Sequence, residues 1–250
     1  MHVSIIITML FVGIILGFIG AGGSGFIISL LTLLFGVSIH TALATALTAM
    51  IFSSLSGAVS HYREGNLSVK TGITAGLFGA AGAFIGSHFS AQIPSTELKW
   101  LTAGMLLFSA CLLWLRMFLL SRQSIQAKNL PAGVNFIARS IVIGIITGIL
   151  SGMFGIGSTP FIQLGLMVLL GLPVRQAAGT TMMVIIPIAI GGGIGSFQQG
   201  YLDIRLLLEV VAGTMAGSYI GAKFTNRAPV QLLKSSMIAV PIVASFLLIV

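Results

Sequence analysis

Two copies of one unit, joined head to tail, account for almost the whole of this 250-residue chain. When the sequence is shifted by 135 residues, many residues of the first half meet identical residues of the second, among them the pairs Gly36 and Gly171, Pro94 and Pro229, and Lys99 and Lys234. Upstream of residue 26 the offset is 131, because the second copy has four extra residues in a glycine-rich stretch. Biased composition alone would not keep one register, so the sequence predicts a duplicated fold.

The surface of such a fold must face lipid, because charged residues are scarce. Only 6% of the residues are charged and 56% are apolar, whereas a soluble domain carries about 25% charged residues. The net charge of +8 would suggest nucleic acid in a soluble protein. Here the basic residues lie in short loops between apolar runs, which indicates membrane topology and no nucleic-acid partner.

Each copy contains five apolar segments, which predicts an all-α polytopic membrane protein. The segments run about 3–20, 25–36, 40–62, 68–90 and 98–118, then 137–153, 160–171, 174–198, 203–224 and 231–249. We divide the chain into a first repeat (1–118), a cytoplasmic linker (119–136) and a second repeat (137–250). The second segment of each copy is short: about 12 residues span only about 18 Å of a hydrocarbon core of about 30 Å. These half-helices either re-enter the membrane or cross it.

The positive charges favour inverted repeats. If each copy makes an odd number of crossings, ten Lys and Arg residues share one side: Arg63, Lys70, Arg116, Arg122, Lys128, Arg139, Arg175, Lys223, Arg227 and Lys234. The other side then has only Lys99 and Arg205, whereas an even number divides the charges seven to five. Because Lys and Arg mark the cytoplasmic side, we expect a multi-pass protein of the cytoplasmic membrane with both termini outside.

A glycine-rich break before each half-helix is the main candidate binding site. The candidates are Gly22, Gly23, Ser24 and Gly25 in the first break, and Gly155, Gly157, Ser158 and Thr159 in the second. The first N–H groups of a helix lack internal partners and carry partial positive charge, so two such N-termini facing each other can hold an anion. The other interpretation is that the glycines allow close helix packing and the hydroxyls cap the helices.

Hydroxyl and carboxyl groups on the long segments extend the list of candidates. Thr45 and Thr48 share a helix face, and Thr180 and Thr181 occupy the corresponding segment of the second copy. Hydroxyls on such helices often bond a neighbouring backbone instead of a substrate. Glu209, about six residues into its segment, is the candidate for ion coupling, although its depth also fits the membrane interface.

Catalytic and metal chemistry are not expected. Cys111 is the only cysteine, and the histidines lie far apart without an i, i+4 pair, so we predict no metal, no cofactor and no enzyme activity.

The chain resembles the TauE/SafE family, also called the toluene sulfonate uptake permeases. The resemblance rests on the stretch from Gly13 to Ile27, on its echo from Gly144 to Ile162, and on Ala42–Thr48 with its Gly179-Thr180-Thr181 counterpart. It implies export or uptake of small sulfur-containing anions such as sulfite or sulfonates. The family is usually described with seven or eight spans, from which our odd count per repeat departs.

The expected function is secondary transport of a small sulfur-containing anion, bound at the repeat interface by helix N-termini and hydroxyls. The alternative is an anion or small-solute channel with aquaporin-like half-helix hairpins, although the Asn-Pro-Ala signature is absent. The expected partners are the small anion, the lipid bilayer and, as an open possibility, a second copy of the chain.

Overall fold

All regular structure in the protein is α-helical within the residues that the computed structural model describes, which are 2–19, 24–120, 134–225 and 230–249. The helices follow the chain in this order: α1 (His2–Ile19), α2 (Ser24–Phe35), α3 (Ile39–Arg63), α4 (Val69–Gln92), α5 (Ser95–Leu120), α6 (Val134–Phe154), α7 (Thr159–Leu169), α8 (Val174–Gln198), α9 (Ile204–Thr225) and α10 (Val230–Ile249). Each predicted apolar segment corresponds to one helix, so the prediction of an all-α protein is confirmed for the described residues.

Five of the described helical stretches are long and apolar enough to cross a membrane: Ile39–Arg63, Val69–Gln92, Ser95–Leu115, Val134–Phe154 and Arg175–Gln198. The half-helices predicted after the glycine breaks are indeed short, with 12 residues in α2 and 11 in α7. Helix α5 ends at Leu120 and α6 begins at Val134, so most of the predicted linker 119–136 lies outside the described residues.

The turns repeat between the two halves in the same way as the sequence does. Gly36 and Gly171, which follow the short helices, have φ values of 63° and 70°, and Gly65 and Gly200, which follow α3 and α8, have 70° and 76°. Glycine is favoured at such positions because it has no Cβ to clash in the left-handed region. The equivalent loops of the two copies therefore have the same backbone form.

Close backbone contact between glycines joins helices of different repeats. A Cβ added to Gly148 of α6 would lie 2.9 Å from the Cα of Gly79 on α4, and one added to Gly13 of α1 would lie 2.9 Å from the Cα of Thr214 on α9. Thr214 is the counterpart of Gly79 at the offset of 135. Helix α1 therefore packs on α9 as α6 packs on α4, and each repeat covers a glycine face of the other.

The central helices α3 and α8, which occupy equivalent places in the two repeats, run in opposite directions. Gly57 near the end of α3 meets Met182 near the start of α8, whereas Thr48 earlier on α3 meets Gly193 later on α8. Their contact is therefore antiparallel.

Helix α4, in contrast, runs parallel to α8. Gly72 meets Met183 near the start of both helices, and Ser87 meets Gly195 near the end of both. Since these two contacts are 12 or 15 residues apart along each helix, α4 and α8 stay in contact over most of their length.

We predict that Gly148→Ala destabilises the protein, because the new Cβ would overlap the Gly79 backbone of α4. Overpacking of this kind costs about 1–3 kcal/mol, which should appear as a lower melting temperature of the detergent-solubilised protein. Gly104→Ala is the matched control, since a Cβ there meets nothing within 4 Å. Equal melting temperatures for the two variants would contradict the backbone contact.

Candidate functional site

The second glycine break has an unusual backbone. Between the end of α6 and the start of α7, Gly155, Gly157 and Ser158 have φ values of 61°, 64° and 44°. Ser158 is the only non-glycine residue with positive φ in the part of the chain that the structure describes. Strained backbone of this kind costs about 1–3 kcal/mol and tends to occur at functional sites.

Helix α3 packs directly on this break. A Cβ on Gly155 would lie 2.9 Å from the Leu43 Cα, and a Cβ on Gly157 would lie 2.5 Å from the Met50 Sδ. Residues 154–158 are all buried. The non-helical backbone is thus enclosed by protein, as any irregular segment at membrane depth must be.

Three hydroxyl groups at the starts of the half-helices have no hydrogen-bond partner among the described residues. They are the Oγ atoms of Ser24 and Ser158 and the Oγ1 atom of Thr159. Ser24 is 1% exposed and Ser158 is 0% exposed, and Ser158 precedes α7 without making a side-chain cap bond. Ser24 is the first residue of α2, and Thr159 is the first residue of α7. Because buried polar groups are nearly always paired, these hydroxyls need an explanation.

Thr45 and Thr48 on α3 turn out to differ. Thr45 is fully buried and its Oγ1 atom has no partner among the described residues. The Thr48 hydroxyl instead donates to the Ala44 carbonyl at 2.7 Å. Of these two threonines, only Thr45 has a hydroxyl without a partner among the described residues.

The corresponding threonines on α8 are both hydrogen-bonded. Thr180 Oγ1 accepts a hydrogen bond from the Ser68 backbone N–H at 3.0 Å, which ties α8 to the loop before α4. Thr181 donates to the Ala177 carbonyl at 2.7 Å. These bonds match the interpretation that membrane hydroxyls satisfy neighbouring backbone.

The first break is described only from its last residues. Gly22 and Gly23 lie outside the described residues, and Gly25 packs against the Leu106 side chain of α5. Helix α2 also contacts α3. Helix α3 thus touches both the second break and the half-helix after the first.

Two further residues with free hydroxyls were missed in the sequence. Ser151 and Thr102 are both fully buried, and neither hydroxyl has a partner among the described residues. Ser151 lies one turn before Gly155, and Thr102 lies one turn from Leu106, which covers Gly25. Their spacing of four residues from these positions was the available signal, but many serines and threonines in the chain have similar spacings.

Glu209 has a charged neighbour. Its Oε1 atom lies 3.6 Å from the Nε atom of Arg205, with the Glu209 side chain 11% exposed and the Arg205 side chain 73% exposed. An i, i+4 ion pair one turn into α9, with one partner open to the surroundings, fits the interfacial interpretation. An ion-coupling role for Glu209 stays a prediction.

His40 lies where several helix ends meet. Its Nε2 atom is 3.1 Å from the Ser90 carbonyl and 3.2 Å from the Ile93 carbonyl, and its ring stacks on Tyr201 at a centroid distance of 4.6 Å. His40 thereby joins the start of α3 to the end of α4 and to the loop just before α9.

Comparisons with known proteins identify the family to which the chain belongs. The chain matches the family described as sulfite exporter TauE/SafE over residues 5–248. It is 52% identical to the probable membrane transporter protein YdhB of Bacillus subtilis, over 98% of this chain and 99% of that protein.

More distant relatives have the same description. The probable membrane transporter protein YjnA of Bacillus subtilis is 28% identical over 96% of this chain and 98% of its own length. The probable membrane transporter protein MJ0441 of Methanocaldococcus jannaschii is 23% identical, over 94% and 92%. No solved structure matches the chain. With the family matched over nearly the whole chain, the resemblance seen in the sequence is confirmed: the protein is a membrane transporter and belongs to the TauE/SafE family.

Proposed function

We propose that the protein is a secondary transporter that carries a small sulfur-containing anion, such as sulfite or a sulfonate, across the cytoplasmic membrane. The description of the family as a sulfite exporter supports the choice of substrate. The observation that carries the proposal is the set of buried hydroxyls without partners at Ser24, Thr45, Ser158 and Thr159. A bound oxyanion would accept the hydrogen bonds that these groups do not make within the protein.

Neutral hydrogen-bond donors suit a transporter, because the bound anion must also be released. Helix N-termini supply partial positive charge and free N–H groups, and each hydroxyl adds one donor. A buried Lys or Arg would hold the anion more strongly and would itself be costly at membrane depth. In our proposal the starts of α2 and α7 and the Thr45 hydroxyl therefore form a site that can bind and release its substrate.

We further propose that the two repeats are inverted across the membrane, with both termini outside. The opposite directions of the equivalent helices α3 and α8 support this arrangement, since a twofold axis along the membrane normal would make them parallel. The ten-to-two division of positive charges supports the same orientation. Inverted repeats place the substrate site near the midplane, at the repeat interface.

Equivalent loops should then lie on opposite faces of the membrane. Glu64→Cys in the loop after α3 and Gln199→Cys at its counterpart after α8 should each react with a membrane-impermeant maleimide, Glu64→Cys from the cytoplasm and Gln199→Cys from outside. Both variants require a Cys111→Ser background, because Cys111 is exposed. Labelling of both loops from the same face would rule out inversion.

Thr45→Val should separate binding from stability. Because the Thr45 hydroxyl has no partner, replacing it by a methyl group should leave the melting temperature of the substrate-free protein unchanged or slightly higher. The rise in melting temperature that saturating sulfite or methanesulfonate gives to the unaltered protein should fall sharply.

Thr147→Val is the matched control. Thr147 is also buried, but its hydroxyl donates to the Ile143 carbonyl at 2.7 Å. This variant should keep the full substrate-dependent rise. If Thr45→Val also keeps the full rise in melting temperature with substrate, Thr45 is not part of the binding site.

Transport in liposomes distinguishes a carrier from a channel. We expect saturable uptake of labelled sulfite, with acceleration when unlabelled sulfite is present on the opposite side. The reason is that a carrier exposes its site to one side at a time. Ion conductance that rises linearly with concentration and shows no counterflow would favour the channel.

A further inference from the structure

The duplication predicts that the contact of α8 with α4 has an equivalent contact of α3 with α9. These two contacts differ in the structure. Helix α8 lies against α4 along a face formed by Pro187, Ile188, Gly191 and Gly195. A Cβ on Gly76 of α4 would lie 2.9 Å from the Pro187 side chain. Cβ atoms placed on Gly191 and Gly195 would likewise meet α4 directly. Helix α8 of the second repeat therefore stays in contact with α4 of the first repeat as far as its last turns.

The equivalent face of α3 is open. The counterparts of the four α8 residues at the offset of 135 are Phe52, Ser53, Ser56 and Ser60, and all four are exposed. On α9, the helix equivalent to α4, the exposed residues include Met215 at 48% and Tyr219 at 69%. Met215 is the counterpart of Ala80, whose backbone touches Gly191 in the closed pair.

The opening is confined to the second halves of α3 and α9. At the start of α3, the His40 ring stacks on Tyr201 in the loop just before α9. Ile39 and Leu43 of α3 share a buried core with Leu206 of α9. The helices therefore share a core at their starts, whereas the residues named above on their second halves are exposed.

On the α3 side of this opening, three of the four exposed residues are serines and the fourth is Phe52. Ser53, Ser56 and Ser60 are spaced by three and four residues, so they share one helix face. Met50, one turn earlier, packs on Gly157 of the second break. A path along this face would thus connect the end of α3 with the residues to which we assign anion binding, and hydroxyls suit a water-filled path better than a lipid contact.

We propose that the space between the second halves of α3 and α9 is the cytoplasmic access path for the substrate, and that transport proceeds by exchange of two equivalent contacts. In the state described here, α4–α8 is closed and α3–α9 is open. In the opposite state, α3 and α9 close through Ser56 and Met215, while α4 and α8 separate at their C-terminal halves. The proposal rests on the inverted topology proposed above, and it uses the general rule that such repeats alternate by rocking about a fixed site.

Single-cysteine labelling in a Cys111→Ser background tests the path. Ser56→Cys should react with a membrane-impermeant maleimide added on the cytoplasmic side. Leu77→Cys, an exposed apolar position on α4 at 61%, is the lipid-facing control. Because the reactive thiolate forms in water, we expect labelling of Ser56→Cys to be at least about tenfold faster than that of the control. Reaction of Ser56→Cys with lipid-soluble reagents alone would overturn the path.

A second variant tests the exchange. Ala80→Cys, at the counterpart of Met215, should react slowly with the maleimide in the state described here. When α4 and α8 separate, it should react only with maleimide added outside. Conditions that slow labelling of Ser56→Cys, such as saturating methanesulfonate on one side, should speed labelling of Ala80→Cys. Fixed rates at both positions under all conditions would overturn the exchange.

Cross-linking provides a readout that does not depend on the substrate. In the double variant Ser56→Cys/Met215→Cys, disulfide formation within one chain should occur, abolish transport and be reversed by a reductant. A link between the Ser56→Cys residues of two chains would instead assign this face to a homodimer and overturn the path. If intrachain links form but no sulfur anion is transported, the exchange is supported and the proposed substrate is wrong.

Discussion

Direct contact between helix backbones, made possible by glycine, is the constraint on which the rest of this structure depends. In lipid there is little hydrophobic gain from bringing two apolar helices together, so packing at close range must hold them. Glycines on α4 and α6, and on α1 and α9, allow this approach. Each pair joins one repeat to the other, so the two halves are interlocked and cannot be considered as separate domains placed side by side.

This interlocking determines where the irregular backbone can lie. The second break follows α6, which packs against α4. The break itself packs on Leu43 and Met50 of α3. A segment supported on both sides can hold Ser158 in a left-handed conformation and keep its hydroxyl buried without a partner. The strained backbone and the unpaired hydroxyl both lower the stability of the protein, as is expected of a site whose hydrogen bonds are made only when a ligand binds.

The positions of the helices were predictable because apolar runs and their interruptions are local properties of the sequence. All ten segments were found in the sequence to within a few residues, as were the two short ones after the glycine breaks. The pairing of helices was not predicted in detail, because the partner of each glycine face lies in the other repeat and has the same small residues.

The site could be predicted only as a set of candidates. Thr45 and Thr48 lie on one helix three residues apart, and no local signal tells which hydroxyl is bonded. The Thr180 Oγ1 atom accepts a hydrogen bond from the backbone N–H of a residue 112 positions away in sequence. Ser151 and Thr102 became candidates only when their surroundings were known. Residue type marks the region, whereas the free hydrogen-bonding groups follow from tertiary contacts.

The cross-repeat pairing also bears on how such a chain could have arisen. A single copy of the unit would leave the glycine faces of its first and fourth helices uncovered, because in this protein those faces are covered by the other copy. Two separate copies could cover them only by associating with their central helices antiparallel, as α3 and α8 lie here. If the repeats are inverted as proposed above, a half-length ancestor would have needed to insert into the membrane in both orientations. Fusion of the two genes would then have freed each half to acquire its own charges and its own break.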